Sequence, residues 1–401
     1  MNRNTTIATM QVIVVAIVLL VSSGCSSKGH ASSVTLKQGE MPTAIPTTTQ
    51  SSPTQAPSGF HVAGNQILDS TGKVFVARGL EVYDVSRTSW KLDLARDNQV
   101  GNLGSGEFQA ASNFWHANLI RVQLAEDNLA SGSTPGYLTE IDHLVNLATS
   151  NGMAIIVSDQ TEETSNNPAP TQESVSFWSQ VAAHYGHNPS VIFDLFNEWR
   201  IPWSDVGGEA QAWQLWQNGG TDPTTKKSYV GMQQLVNAVR STGATNLILA
   251  QGIGAGEVLD QVTSHLLTGG NIAYAVHPYF NASEVNNPTS IWDNRFGIAS
   301  QSVPVMADEW GEYQSAKGEC FPGAPAMVPQ LFSYLKSHHI GIVGWALFPG
   351  ILIRGWSWTT PTAFDQSSYT CGPSFAFPNM SPTAEGAGYS LLSYFASQIA
   401  Q

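Results

Sequence analysis

The stretch VIFDLFNEWR, residues 191–200, decides how the rest of the chain is read. Mostly apolar residues from Val191 to Phe196 lead straight into Asn197 and Glu198. A short continuous apolar run suits a strand buried on both faces, as in parallel sheets covered by helices. A carboxamide and a carboxylate at its C-terminal end would be costly inside a core. They are not out of place at the C-terminal mouth of a parallel barrel, where such folds present their functional side chains.

Working outward, similar runs recur at Val74–Arg78, Asn118–Val122, Ala154–Val157, Asn246–Ala250, Ile272–Val276, Val303–Ala307 and Ile342–Ala346. With Val191–Phe196 they number eight. Helix-like stretches follow most of them, among them YLTEIDHLVNLATSNG, ESVSFWSQVAAHYG, SYVGMQQLVNAVRSTG, MVPQLFSYLKSHHIG and GYSLLSYFASQIAQ. Their apolar residues recur every three or four positions, and several end in Gly. The stretch FHVAGNQILDSTGKVFVARG predicts a hairpin, with turn chemistry at Ser70-Thr71-Gly72. The fold class expected is α/β: a (β/α)8 TIM barrel over residues 59–401 with an N-terminal β-hairpin and long βα loops. An open doubly wound sheet is the other candidate, and the lack of a phosphate-type Gly-rich turn after the first strand weighs against it.

The strand ends carry the chemistry. The second run holds Arg121, the fourth ends in Asn197-Glu198 and the sixth in His277 and Tyr279. The seventh ends in Asp308, Glu309 and Trp310, and the eighth reaches Trp345. Carboxylates closing both the fourth and seventh runs would face each other across a barrel mouth. Asp194, in mid-strand, reads as a hydrogen-bonded interior residue.

FNEW and ADEWG, with RVQL, HPY and the late GW in the same order, resemble the signature of glycoside hydrolase family 5. The resemblance covers roughly residues 59–401 and implies a retaining cellulase-like β-glycosidase of the barrel glycosidase clan. It implies Glu198 as acid/base and Glu309, directly before the aromatic-Gly pair, as nucleophile; Asp308 is then the bystander. Arg121 and Tyr279 would support Glu309, His277 would orient the acid/base or bind a sugar hydroxyl, and Asn197 would bind the 2-hydroxyl. Trp345 would floor the sugar site, and Trp310, Trp356 and Trp358 are candidate platforms further along the cleft, with a loop-anchor role the favoured reading for Trp356 and Trp358. Two positions depart from the pattern. Ser158 and Gln160 stand where many members have Asp-x-His, and Trp199 replaces the common Pro, as if to widen or wall off the leaving-group side. No cofactor and no catalytic metal is expected.

The remaining chain addresses location. Residues 1–25 read as a signal peptide: Arg3, then an apolar run from Val12 to Val21, too short for a membrane core that needs ~20 residues. Ser22-Ser23-Gly24-Cys25 resembles a bacterial lipoprotein signal, with Ser22 where Leu is usual; cleavage nearby without lipid is the alternative. Lipid on Cys25 would leave Cys320 and Cys371 as an even pair in an oxidising compartment, hence a Cys320–Cys371 disulfide, the alternative being two free thiols. Residues 26–58, rich in Ser, Thr and Pro, read as a linker. A net charge of −13 without a basic stripe argues against nucleic-acid partners. Charged residues make up only 12% and Trp numbers 12, a balance suited to neutral polar ligands.

Together these expectations give a monomeric enzyme, secreted or lipid-anchored at the cell surface, acting on a polysaccharide or oligosaccharide. Endo-β-1,4-glucanase leads; β-mannanase or exo-β-glucosidase is the alternative within the family. A sugar-binding lipoprotein is the alternative of another class, and the paired strand-end glutamates weigh against it, since a binding protein needs no poised acid and nucleophile.

Overall fold

The eight runs close on one another in chain order. In this computed structural model the strands are β1 (Arg78–Asp84), β2 (Leu119–Leu124), β3 (Ala154–Asp159), β4 (Val191–Asp194), β5 (Ile248–Gln251), β6 (Ile272–Ala275), β7 (Val305–Trp310) and β8 (Gly341–Gly344). Each pairs in parallel with the next, and β8 pairs with β1, so the sheet is a closed barrel. The structure describes residues 59–84, 105–130, 136–161, 167–280, 284, 287–312, 323–355, 357–363 and 386–399. The signal, lipidation and linker expectations at residues 1–58, the Cys320–Cys371 pair and Trp356 lie outside them. Among the described residues no helix is long and apolar enough to cross a membrane.

Two boundaries differ from expectation at the N-terminal end. The hairpin arms are His61–Ala63 and Gln66–Leu68, turning at Gly64-Asn65, where Gly64 takes φ 61°. The Ser70-Thr71-Gly72 turn also forms, with Asp69 Oδ1 accepting from the Thr71 amide at 2.8 Å, but it only returns the chain for a single bridge between Leu68 and Val74. Val74 therefore extends the hairpin, and the first barrel strand starts at Arg78. The hairpin plugs the barrel floor: Ile67 packs with Ala77, Leu119, Ala154, Ile156, Ile192, Leu249, Ala275, Met306 and Val343 in one buried cluster. Gly79 is tight-fitted here, since a Cβ on it would come within 2.6 Å of Val343 Cγ2.

Side chains alternate along a strand, so every second residue points into the barrel. Leu119, Ile156, Ile192 and Leu249 fill the lower interior. One step along the same strands are Arg121, Ser158, Asp194 and Gln251, all fully buried. The interior therefore changes from apolar to polar toward the C-terminal mouth. The ladders of β1/β2 and β7/β8 each slip by a residue near that mouth, between Glu81 and Asp84 and between Ala307 and Trp310. Such bulges re-aim side chains beside functional sites. The slip in β7 lets both Asp308 and Glu309 reach inward, which strict alternation would forbid.

Outside the barrel, all five expected helical stretches contain helices: Tyr137–Ser150, Gln172–Tyr185, Met232–Ser241, Ala324–Ser337 and Gly388–Ile399. Thr171 begins the second with a capping box. Ser228–Val230, expected within the third, instead pairs with Gly219–Thr221 as a small antiparallel sheet. Two indoles tie the helix layer to strand ends. Trp178 Nε1 donates to the Leu195 carbonyl at 2.7 Å and Trp216 Nε1 to the Gln251 carbonyl at 2.8 Å.

Candidate active site

Arg121 is the centre of the mouth. Its guanidinium, wholly buried, donates to Glu309 Oε2 at 2.7 Å, Asn197 Oδ1 at 2.6 Å, Ser158 Oγ at 3.0 Å and Asp194 Oδ2 at 3.2 Å, and it pairs with Glu81. Burial alone would lower its pKa, but Glu81, Glu309, Asp308 and Asp194 outweigh that and raise it, so it stays charged. Gln251 ties the same layer together, donating from Nε2 to Asp194 Oδ2 at 2.8 Å and Asp308 Oδ2 at 3.2 Å. Burial, reinforced by Asp308, pushes Asp194 up to about 7 despite Arg121. A proton held there relieves the excess of carboxylates over cations.

Glu309 is the carboxylate this network exposes to the mouth. Besides Arg121, Tyr279 donates from its hydroxyl to Oε1 at 3.1 Å. Facing it, Glu198 leaves the end of β4 with φ 49°, an uncommon conformation for a non-glycine residue. Its amide donates to Gln251 Oε1 at 2.8 Å, which locks the turn. His277 Nδ1 lies 3.3 Å from Glu198 Oε1 and 3.7 Å from Glu309 Oε1, while its Nε2 lies 3.3 Å from Asp308 Oδ1. Burial would depress His277, but Glu309, Asp308 and Glu198 raise it well above its ordinary value, so the ring is an imidazolium near neutrality. Burial likewise pushes Glu198 up; His277 and then Arg200 outweigh it and hold the carboxyl below its ordinary range.

Glu198, His277 and Glu309 offer oxygens and a nitrogen all within 4.8 Å of one another. Among the described residues these three form a candidate grouping for an ion, and Arg121 and Tyr279 already hydrogen-bond to Glu309 while His277 and Arg200 do so to Glu198. Two carboxylates this close suit chemistry needing one group to give a proton and another to attack carbon; in retaining glycosidases they lie ~5–5.5 Å apart.

The structure thus brings together Arg121, Asn197, Glu198, His277, Tyr279 and Glu309. Trp345 follows β8 at the same end, half-buried, joined to Ala346 by a cis peptide bond and with its amide donating to the Trp310 carbonyl at 2.7 Å. Trp310 itself does not face the cleft. It is fully buried, edge-on to Phe332 with ring centroids 4.9 Å apart, because the β7 slip turns it outward into the helix layer. Trp199 is no cleft wall either: only 1% exposed, it packs in the outer core. Trp358 is half-buried, its carbonyl accepting from Trp115 Nε1 at 2.7 Å. Ser158 donates to Asp194 Oδ2 at 2.6 Å, and Gln160 is buried.

Four members of the network were not anticipated: Glu81, Gln123, Gln251 and Arg200. Gln123 Nε2 donates to Glu81 Oε1 at 2.5 Å. The available signal was a polar residue just beyond an apolar run, as in LEV, RVQL and LAQG.

Comparison with known proteins identifies the family and supports the barrel fold. The chain is 22% identical over 251 residues to cellulase CelDZ1 of Thermoanaerobacterium sp, covering 61% of each chain. It is 21% identical over 200 residues to endoglucanase Z of Dickeya dadantii, covering 49% of this chain and 40% of that one. The matches thus span less than two thirds of these relatives. Among solved structures, β-glucanase SdGluc5_26A of Saccharophagus degradans, in complex with cellotetraose, superposes with a TM-score of 0.61 at 22% identity, covering 79% of this chain and 94% of that one. Residues 69–350, well over half the chain, match the family described as cellulase (glycosyl hydrolase family 5), and the chain belongs to that family.

Proposed function

We propose that this chain is a retaining endo-β-1,4-glucanase that cleaves β-1,4-glucan by double displacement. The observation that carries the reading is the pair Glu198 and Glu309, whose oxygens approach within 4.8 Å across the mouth. Glu309, held in place by hydrogen bonds from Arg121 and Tyr279, attacks the anomeric carbon. Glu198 in its acid form gives its proton to the leaving oxygen as that bond breaks. Glu198, now a carboxylate, takes a proton from water as the water oxygen displaces Glu309, and configuration is retained after two inversions. Asn197, its Oδ1 engaged by Arg121, would offer Nδ2 to the sugar 2-hydroxyl, and Trp345 would lie under the ring. The cellotetraose bound by the similar β-glucanase favours glucan over mannan as substrate.

Reducing-sugar release on carboxymethylcellulose, mannan, xylan and β-1,3-glucan tests the substrate. Glu309→Gln should lower the rate on the preferred polymer by at least about 10⁴-fold. Equal activity would remove the mechanism, and initial product of inverted anomeric configuration, read by NMR, would remove retention alone. Preference for mannan, or release of single glucose units only, would favour β-mannanase or exo-β-glucosidase. The N-terminal signal supports export with an anchor through lipid on Cys25; loss of fatty-acid labelling in Cys25→Ala checks the anchor.

A further inference from the structure

The acid/base carries a second cation that the reaction as derived does not use. Arg200 Nη2 donates to Glu198 Oε2 at 2.5 Å, while His277 holds the opposite oxygen. This contact is set by the backbone. Trp199 between the two residues is buried, and its carbonyl accepts from the Ala255 amide at 2.8 Å. The Arg200 amide donates to the Pro168 carbonyl at 2.7 Å. With the middle residue anchored inward, Glu198 and Arg200 emerge on the same side of the loop. Their side chains are 19% and 36% exposed, so this is the part of the network that solvent or substrate can reach.

The other charged groups facing Glu198 belong to other elements. His277 follows β6, with Asp308 behind it; Glu309 is on β7, with Arg121 behind it; Glu257 lies on the loop after β5, where Arg295 holds it at 3.3 Å. His277 is wholly buried, its Nδ1 hydrogen-bonded to Glu198 Oε1 and its Nε2 within ion-pair distance of Asp308 at 3.3 Å, so it is held in place. Arg200 is the partly exposed cation on Glu198, within reach of an incoming sugar.

We propose that Arg200 is a positioning residue that clamps Glu198 as a carboxylate in the empty and glycosylated enzyme and gives way when the leaving-group sugar occupies the mouth. Glu198 has opposite duties in the two half-reactions. It must carry a proton when the glycosidic bond breaks and lack one when water attacks. A guanidinium on Oε2 favours the second state. Displaced by the incoming sugar, it lets Glu198 take a proton from solvent for the first. The inference rests on Glu198 being the acid/base.

The test uses wild type, Arg200→Gln, Arg200→Lys and Glu198→Ala, each checked for an unchanged thermal melt. The substrates are cellotetraose, whose leaving group needs protonation, and dinitrophenyl cellobioside, whose leaving group does not. For Arg200→Gln on cellotetraose, the alkaline limb of kcat/KM should move to higher pH. Where wild type has fallen to about a tenth of its maximum, the variant should keep about three times as much or more. On dinitrophenyl cellobioside its kcat should fall with kcat/KM preserved, since only the water-activating half needs the base. Arg200→Lys, which keeps the charge, should restore the limb. A uniform loss of rate with an unmoved limb would overturn the clamp. Glu198→Ala separates the two readings: if it hydrolyses cellotetraose like wild type, the acid/base assignment falls and the clamp with it. If it loses that activity while the Arg200→Gln limb stays in place, only the clamp falls.

Discussion

The lower and upper halves of the barrel interior are built from the same eight strands, two residues apart, and they solve opposite problems. Below, Leu119, Ile156, Ile192 and Leu249 meet the N-terminal hairpin in an apolar cluster whose members need nothing from their neighbours except shape. Above, Arg121, Ser158, Asp194, Gln251 and Asp308 are as fully buried as those aliphatics, yet each depends on its partners for charge or hydrogen bonds. In the lower half burial is itself the source of stability. In the upper half burial is a cost, offset only while the network is complete. What it supplies in return is a mouth where Glu309 is held by Arg121 and Tyr279 and Glu198 by His277.

The sharpest break between the halves comes from removing the shared cation. Arg121→Met takes the shared cation from Glu81, Asp194 and Glu309 and leaves Glu309 only the more distant His277 as counter-charge, at 3.7 Å. Breaking a buried pair in this way costs about 3–5 kcal/mol, and the rate of the proposed glucan cleavage should fall with it, because Glu309 loses its 2.7 Å donor. Urea unfolding beside kcat/KM measures both. A variant as stable as wild type would mean that the upper network is not under electrostatic strain.

Leu249→Ala is the matching cut two residues away from Gln251 on β5. A large-to-small change in a packed core costs about 2–5 kcal/mol. Here the loss should be confined to stability: at a temperature where the variant is still folded, kcat/KM and its pH profile should coincide with wild type. A shifted pH profile would show that the apolar floor sets the positions of the groups above it.

How far the chain declares this arrangement follows the same division. The barrel was legible because its parallel strands are buried on both faces and so appear as continuous apolar runs. Glu198, Glu309, Arg121, His277 and Tyr279 were legible because they sit at the ends of those runs. Boundary errors hid the rest. Ending the fifth run at Ala250 concealed Gln251, and placing the first at Val74–Arg78 concealed Glu81, three residues beyond it. The residues 74–77 read as strand because they are apolar, but that apolar surface serves the plug. Trp310 and Trp199 were misplaced for a different reason. Composition marks an indole as a sugar platform and as a core anchor equally, and only the slip in β7 and the anchored turn after β4 decide between them. Arg200 carried no signal, since its role depends on the turn that aims it at Glu198.

The smallest expected effect, and the finest test of the comparison, is the pH dependence of stability through Asp194. Its folded pKa of about 7 lies above the ordinary 3.8, so between those values the native state binds a proton that the unfolded chain has released. The contribution to stability is therefore fully present below the ordinary value and is lost as pH rises through about 7. Asp194→Asn can keep an acceptor for Ser158 and Gln251 while removing the titration, so at neutral pH it should change stability by no more than about 1 kcal/mol. The slope should change instead: stability measured by urea unfolding from acid to mildly alkaline pH should decline less steeply in the variant. Glu257, which burial also pushes up to about 7, contributes a decline of the same sign and is present in both proteins, so the difference between the two slopes isolates Asp194. Leu249→Ala, lying in the apolar half, should run parallel to wild type at every pH. Parallel lines for Asp194→Asn as well would mean that the proton which balances the upper network resides on another of its carboxylates.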